Sequence, residues 1–321
     1  MAVADPAPTQ VLTGAIAADR LGLPSDTRQG GLVTDAPIGE GRPVSTVLVT
    51  LRGGLGNQMF QYAIGRSIAE KHGRRLFLDD LALRIDHPGR TRRAYALGAF
   101  NIKAELTSRA RVEGCGIRAV LVQERRGFHE QVLKPCPLAQ LELQGFWQDE
   151  RYFLDIAHVL RAHFRMRPGP WESSRWQPLI AATPNAVCVH VRRQDYLTPQ
   201  GGGIGFVGQE YYRRAIAAMA RLVQDVRYFV FSDDIPWCRE YLPLDHSHSF
   251  IEHDCGAGDH TCTDFSLMTL CRHFIIANSS FSWWAAWLGS DPRKIVIAPK
   301  VWFHDIPSDS DDIVPRAWFR I

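Results

Sequence analysis

Three short stretches of this 321-residue chain carry side chains whose types and spacing bear on chemistry. The first is His190-Val-Arg-Arg-Gln-Asp-Tyr196. Arginine offers a planar fork of N–H donors, stays charged and matches phosphate oxygens. Arg192 and Arg193 directly follow the run Ala186-Val-Cys-Val-His-Val191, which reads as a buried strand. In open α/β sheets the carboxyl edge of such strands is where ligands bind. Neighbours on an extended strand point to opposite sides, so one arginine can reach a ligand while the other pairs with a carboxylate. His190 and Arg192 share parity and are expected to face the same way. The alternative is an Arg–Asp surface network built on Asp195.

The second stretch is Asn278-Ser-Ser-Phe-Ser-Trp-Trp-Ala-Ala-Trp-Leu288, read as strand, polar turn and helix. Ser279, Ser280 and Ser282 can cap the helix or donate hydroxyls to a phosphate at its N-terminus, and the tryptophans belong to a core. The third is the glycine turn Gly53-Gly-Leu-Gly56, followed by Asn57. Glycines between a strand and a helix let backbone approach a ligand, and the helix start offers free N–H groups to an anion. The spacing is neither the dinucleotide signature nor the Walker lysine loop, so a plain tight connection stays open. Two carboxylates accompany these strands: Asp233 after a strand end, and Asp264 opening a helix from Phe265 to Cys271. Each can accept paired N–H bonds from a guanine edge or cap a helix.

Two compositions point elsewhere. His246, His248, His253, Cys255, His260 and Cys262 have metal-ligand chemistry, but their spacing matches no usual structural zinc pattern, and a polar loop is expected. Asp309-Ser-Asp311 lies in a polar stretch and reads as an exposed loop.

The elements that position these residues follow from periodicity. Val44 to Leu51 is a β-branched apolar run, Asn57 to His72 has helical period with Gly73 as its stop, and Arg75 to Asp79 is a second strand. Leu141 to Phe146 reads as strand and Glu150 to Phe164 as helix. Pro168 to Ser174 is a turn-rich linker. The pattern then restarts: strand to Val191, helix Glu210 to Val223, strand Arg227 to Phe231, strand Phe274 to Ala277, helix from Ser282, strand Lys294 to Ala298. The fold class is therefore α/β, with two Rossmann-like domains facing a cleft. The boundaries are a tail at 1–44 holding one weak helix at Val11 to Leu23, a first domain at 45–175 and a second at 176–321.

Composition narrows the class. With 37 Lys+Arg against 34 Asp+Glu the net charge is +3, which gives no case for nucleic acid. Hydrophobic residues at 45% rule out a disordered chain. No apolar run approaches the roughly 18 residues of a membrane span. Seven cysteines without regular spacing argue against a disulfide framework and for a reducing cytosol. The first residues do not read as a secretory signal.

Taken in order, GGLGNQMFQYAIGRSIA, HVRRQDYL and DFSLMTLCRHFIIANSSFSWWAAWLG resemble the inverting α-1,2-fucosyltransferases of glycosyltransferase family 11, the bacterial branch in particular. GFWQDERYF at 145–153, FVFSDD at 229–234 and IVIAPKVWF at 295–303 are similar to the same family, and the resemblance runs from about Val47 to Ile321. It implies a GT-B architecture, GDP-β-L-fucose as donor, the 2-hydroxyl of a terminal galactose as acceptor, and no metal or other cofactor. By the same resemblance Arg192 holds the β-phosphate, His190 lies near the guanine and Asp264 reads its N–H edge. Ser279, Ser280, Phe281 and Ser282 form the phosphate turn, with Arg193 and Asp233 beside the donor. Gly54, Gly56 and Asn57 close over the donor from the other domain, which faces the acceptor. Gln194 stands where the family commonly has glycine, which bears on the local loop path.

The implied chemistry is physically coherent. Breaking the fucosyl–phosphate bond builds positive charge on the sugar and negative charge on GDP. Arg192 and two helix N-termini supply the preorganised positive potential such a departure needs. The general base must reach the acceptor hydroxyl. Asp195 is the candidate, with pairing to Arg193 or a late proton transfer without a base as alternatives. The enzyme is then expected in the cytoplasm or peripherally at the inner membrane, decorating a surface glycan such as a lipopolysaccharide O-chain. A fucosyltransferase of other linkage and a non-catalytic nucleotide-sugar or glycan-binding protein are the rival readings.

Overall fold

The computed structural model describes residues 45–85, 93–107, 119–124, 127–136, 140–197, 204–253, 260–303 and 313–321. The expected weak helix at Val11 to Leu23, Cys255 and the Asp309–Asp311 stretch lie outside the described residues.

The first sheet is built on β1 (Thr46–Thr50), whose five residues are all buried, as a β-branched run covered on both faces should be. Helix α1 (Leu55–His72) follows and ends at Gly73, which adopts the left-handed conformation (φ 60°, ψ 38°) and donates its N–H to Ala69. Strand β2 (Arg75–Asp79) returns beside β1, giving the β–turn–α–β unit read from the sequence. A short α2 (Leu81–Arg84), β3 (Glu105–Leu106), β4 (Ala119–Gln123) and β5 (Gln140–Gln144) complete a five-stranded parallel sheet in the order β3-β2-β1-β5-β4.

The span Glu150 to Phe164 departs from the single helix expected. It comprises two 3-10 turns, Glu150–Tyr152 and Leu154–Ile156, before α3 (Ala157–His163). Phe153 breaks the run with non-helical backbone (φ −142°, ψ 8°) because its ring is drawn into the core, stacked 5.2 Å from Trp284. Tertiary packing of aromatics outweighs the weak local preference for helix here. Pro170–Ser173 forms a further 3-10 turn, and α4 (Trp176–Ala181) leads into the second sheet.

That sheet comprises β6 (Ala186–Val191), β7 (Arg227–Ser232), β8 (His248–Phe250), β9 (His273–Ile275), β10 (Val296–Ala298) and β11 (Phe319–Arg320). It is parallel throughout, in the order β11-β10-β9-β6-β7-β8. Its helices are α5 (Gln209–Leu222), α6 (Ile235–Tyr241), α7 (Thr261–Leu270) and α8 (Ser280–Leu288). Strand β8 carries His248, placed by the sequence reading in a polar loop. Helix α7 starts at Thr261, so Asp264 lies inside its first turn rather than opening it.

One apolar cluster runs through both halves. Phe60 of α1 sits 4.5 Å from Trp283 and 4.9 Å from Trp284 of α8, ring centre to ring centre. Aromatic pairs at such spacing add about 0.5–1.5 kcal/mol beyond their burial. Helix α8 is apolar around most of its circumference because α1 and α7 pack against it and Arg161 of α3 covers Trp287, with Trp283, Trp284 and Trp287 all buried. Among the described residues no helix is long and apolar enough to cross a membrane.

Candidate functional site

Each sheet reverses its strand order at one place, between β1 and β5 in the first and between β6 and β9 in the second. Ligands of open α/β sheets bind beyond the carboxyl ends of strands at such points. The three stretches singled out in the sequence emerge there.

Strand β6 delivers His190, Arg192 and Arg193. Cys188 belongs to the core cluster shared with α7 and α8, whereas Val187, Val189 and Val191 pack toward α5, so His190 faces the α7–α8 side. Its ring lies 5.8 Å from that of Phe281, and its carbonyl accepts the Tyr212 hydroxyl at 3.1 Å. The imidazole is 6% exposed, and its Nδ1 is buried with no hydrogen-bond partner among the described residues. Burial, helped by the Arg192 charge, pushes its pKa down to about 3, so the ring is neutral at physiological pH.

Both arginines meet carboxylates, and those carboxylates come from β7. Arg192 Nε is 3.3 Å from Asp233 Oδ2. The Arg193 backbone N–H donates to Asp233 Oδ1 at 2.9 Å, and its guanidinium pairs with Asp234 Oδ2 at 2.5 Å. The reason is register. Val191 is paired with Ser232, so the residues that follow each strand leave the sheet edge side by side. Arg193 also lies over the rings of Phe206 and Trp237, at 5.8 and 5.4 Å. It therefore serves the α5–α6 side, opposite to His190. Asp195 opens a 3-10 turn, Asp195–Leu197, and its side chain lies outside the described residues.

At the second strand end Ser279 occupies the N-cap position of α8, but no serine side chain caps the helix. The capping expectation is corrected because the hydroxyls are used otherwise. Ser280 Oγ donates to Asn57 Oδ1 at 2.8 Å, and Ser282 Oγ donates to the Ser279 carbonyl at 3.3 Å. The amide donors of the first turn thus keep their positive end without a side-chain acceptor. At the other end Lys294 Nζ donates to the carbonyls of Trp287 and Gly289, at 3.1 and 2.7 Å. Trp283 Nε1 ties the helix to the Ile313 carbonyl at 2.7 Å.

The glycine turn of the first sheet abuts this serine turn. A Cβ on Gly56 would fall 2.4 Å from the Ser280 carbonyl carbon and 2.6 Å from the Phe281 nitrogen, so only glycine permits the approach. Asn57 Oδ1 accepts from Gln148 Nε2 at 2.7 Å as well as from Ser280. Gly54 is the N-cap of α1. Arg93 lies over the turn, its Nε 4.0 Å from where a Gly54 Cβ would sit. Two buried glutamines fix the turn from below. Gln58 Nε2 donates to the carbonyls of Gly53 and Ala94, and Gln61 bridges the Arg52 N–H and the Gly145 carbonyl. Arg93, Gln148, Gln58 and Gln61 escaped the sequence reading. Polar residues on a helix otherwise reading as buried were the one available signal for the glutamines.

Asp264 completes the group on the α7–α8 face. Its neighbour Phe265 packs against Phe281 with ring centres 5.4 Å apart. Its Oδ1 accepts from His253 Nε2 at 2.7 Å. Burial, the Cys271 thiol beside it and the Asp264 carboxylate all push the Cys188 thiol up. Of the histidine- and cysteine-rich stretch, His248 Nδ1 contacts the His246 carbonyl at 2.9 Å, and His253 stacks on His260 with ring centres 4.1 Å apart. Among the described residues no three His, Cys, Asp or Glu side chains converge as metal ligands would.

The His190 ring, the start of α8 and the start of α1 therefore meet beyond the carboxyl ends of the strands, with Arg192 two residues past His190. Imidazole, guanidinium and helix-start amides are the groups chemically suited to an anion attached to a flat polar ring.

Known proteins resemble this chain over most of its length. The profile of "Glycosyl transferase family 11" matches residues 122–321. An alpha-1,2-colitosyltransferase of Escherichia coli is 33% identical over 87% of this chain and 99% of its own length. The O-antigen biosynthesis glycosyltransferase WbnK of Escherichia coli is 30% identical over 79% of this chain and 93% of its own. Among solved structures, the fucosyltransferase NodZ from Bradyrhizobium superposes with a TM-score of 0.51 at 15% identity, over 79% of this chain and 94% of that one. The fold is accordingly of GT-B type.

Proposed function

Since this chain belongs to glycosyltransferase family 11, we propose that it is a galactoside α-1,2-fucosyltransferase using GDP-β-L-fucose. L-Fucose passes to the 2-hydroxyl of a terminal galactose with inversion and without a metal ion. One observation carries the reading: Asn57 and Ser280 join the two strand-order reversals at 2.8 Å, with the His190 ring 5.8 Å from that of Phe281 and its Nδ1 without a hydrogen-bond partner among the described residues.

In this reading the diphosphate lies against the first turn of α8, formed by Ser279, Ser280, Phe281 and Ser282, with Arg192 on the β-phosphate. The N-terminus of α1, at Gly54, Gly56 and Asn57, covers it from the first sheet. His190 offers its bare nitrogen to the nucleoside, and Asp264 accepts the guanine N–H edge. Asp233 aims Arg192, while Arg193 holds the strand end to Asp234. The acceptor-side domain spans 45–175 and the donor-side domain 176–321. Asp195 takes the acceptor proton. As the fucosyl–phosphate bond breaks, Arg192 and the helix N-termini stabilise the charge growing on GDP, and fixed dipoles do this without reorganising. The galactose oxygen attacks from the opposite face, as in inverting glycosyl transfer.

A second reading replaces fucose with colitose, which is fucose lacking the 3-hydroxyl. The 33% identity to a colitosyltransferase favours it. The relative named for O-antigen biosynthesis supports a bacterial surface glycan as acceptor, with the enzyme at or near the inner membrane.

The deciding experiment offers GDP-fucose and GDP-colitose to a panel of β-galactosides, with and without chelator, and identifies the linkage by NMR. An α-1,2-fucosyl product formed equally in chelator is expected. Transfer of colitose alone establishes the second reading, and transfer of neither sugar overturns both. Asp195→Asn should lower kcat while leaving the KM for GDP-fucose near its original value.

A further inference from the structure

The histidine-rich stretch before α7 finds a use at Asp264. A carboxylate hung on Cβ rotates broadly about its last torsion, since that sp³–sp² bond has shallow minima. Asp264 does not have that freedom. His253 Nε2 holds Oδ1 at 2.7 Å, in a partly buried pair whose side chains are 17% and 31% exposed. The His253 ring is itself held, stacked on His260 at 4.1 Å with their planes 18° apart. His260 is the N-cap residue of α7, and its carbonyl accepts the Asp264 N–H at 2.9 Å. The imidazole stack and the carboxylate are therefore anchored to one helical turn, across the face that carries Phe265, Phe281 and His190.

One oxygen anchored from outside leaves the plane of the carboxylate fixed and Oδ2 without a partner among the described residues. Guanine presents two parallel donors, N1–H and the 2-amino group, which a carboxylate accepts together only when its plane coincides with that of the base. We infer that His253, braced by His260, is a positioning residue for base recognition: it sets the plane in which Asp264 meets the N1–H and 2-amino donors of a guanine. The inference rests on the guanosine-diphosphate donor proposed above. It adds that selectivity for the 2-amino group depends on a side chain that does not touch the nucleotide.

The test compares binding of GDP and of inosine diphosphate, which lacks only the 2-amino group, by titration calorimetry on the full chain. His253→Leu should weaken GDP about tenfold, the usual consequence of losing a charge-assisted hydrogen bond, and inosine diphosphate far less. The preference between the two nucleotides should collapse. His253→Gln, which keeps an N–H donor, should restore most of it, a recovery that a merely structural role does not produce. Asp264→Asn separates the layers. If it leaves the preference intact, the guanine assignment itself fails. If it abolishes the preference while His253→Leu preserves it, the role of His253 alone is overturned. Should His253→Leu not fold, His253→Gln and His260→Ala read the same ratio, and wild-type selectivity in both overturns the proposal.

Discussion

Asn57 and Ser280 stand 223 residues apart in the chain and share a hydrogen bond of 2.8 Å. The same Asn57 oxygen takes a second bond from Gln148. Two helix starts, those following β1 and β9, and the loop after β5 are thereby joined at a single carbonyl. An asparagine suits this place because its oxygen can accept from two donors while carrying no charge beside the proposed diphosphate site.

The contact beneath that bond is backbone against backbone, so Gly56→Ala should be severe. The added methyl meets the Ser280 carbonyl at 2.5 Å, and neither partner can rotate away. A loss of about 1–3 kcal/mol in stability is expected from the forced separation, together with a large fall in kcat. Thermal unfolding and a transfer assay check the two effects. A fully active, equally stable variant would show that the turns do not need to touch.

Arg192→Ala should reduce kcat about 100- to 1,000-fold, the range for removing one preorganised donor from a developing oxyanion. Arg192→Lys should recover only part of this, since an ammonium lacks the planar fork. Steady-state kinetics with GDP-fucose provide the comparison, and an unchanged melting temperature shows that the fold is kept.

The buried neutral His190 predicts an acid weakness. Its pKa falls from 6.5 to about 3 on folding, mainly through burial. Between those values the unfolded chain binds a proton that the native one refuses. Stability must then fall as pH drops from 6.5 toward 3, by up to about 1.4 kcal/mol per pH unit from this residue. His163 and His273, also lowered mainly by burial, act in the same direction. The measurement is therefore the difference in slope between wild type and His190→Gln in denaturant titrations, with the variant the less acid-sensitive of the two. Equal slopes would mean that His190 is protonated in the native state.

Trp283 is the keystone of α8, touching Phe60, Phe153, Trp284 and Trp318 in the aromatic cluster and donating to Ile313. Trp283→Ala should cost about 3–5 kcal/mol, the range for emptying a large buried ring. Trp283→Phe should cost less but leave the Ile313 carbonyl unpaired. Urea unfolding distinguishes the two.

How much of this was legible beforehand depends on the range of the interaction. Strand β6 and the glycine turn were readable because a β-branched run followed by arginines, or by glycines and an apolar period of 3.6, is a local signal. The partners of the arginines were not. The sequence offered Asp195 only as an alternative partner, and it held no sign that the pairing of Val191 with Ser232 brings Asp233 and Asp234 alongside. The serine turn was located correctly, but the use of Ser280 depended on Asn57 arriving from the other sheet. Glu150 to Phe164 looked helical by period, and the demand of Phe153 for a place beside Trp284 broke it. His253 could be noticed only as one of a run of histidines, since its meaning lies in the carboxylate it meets.

The aromatic cluster behind the serine turn has a practical corollary. Trp283, Trp284 and Trp287 lie within two turns of Ser280, and Trp318 packs on Trp283 at 5.4 Å. Their ultraviolet emission is sensitive to small shifts in local field, so occupancy of the proposed donor site should be readable from the chain's own fluorescence without any label.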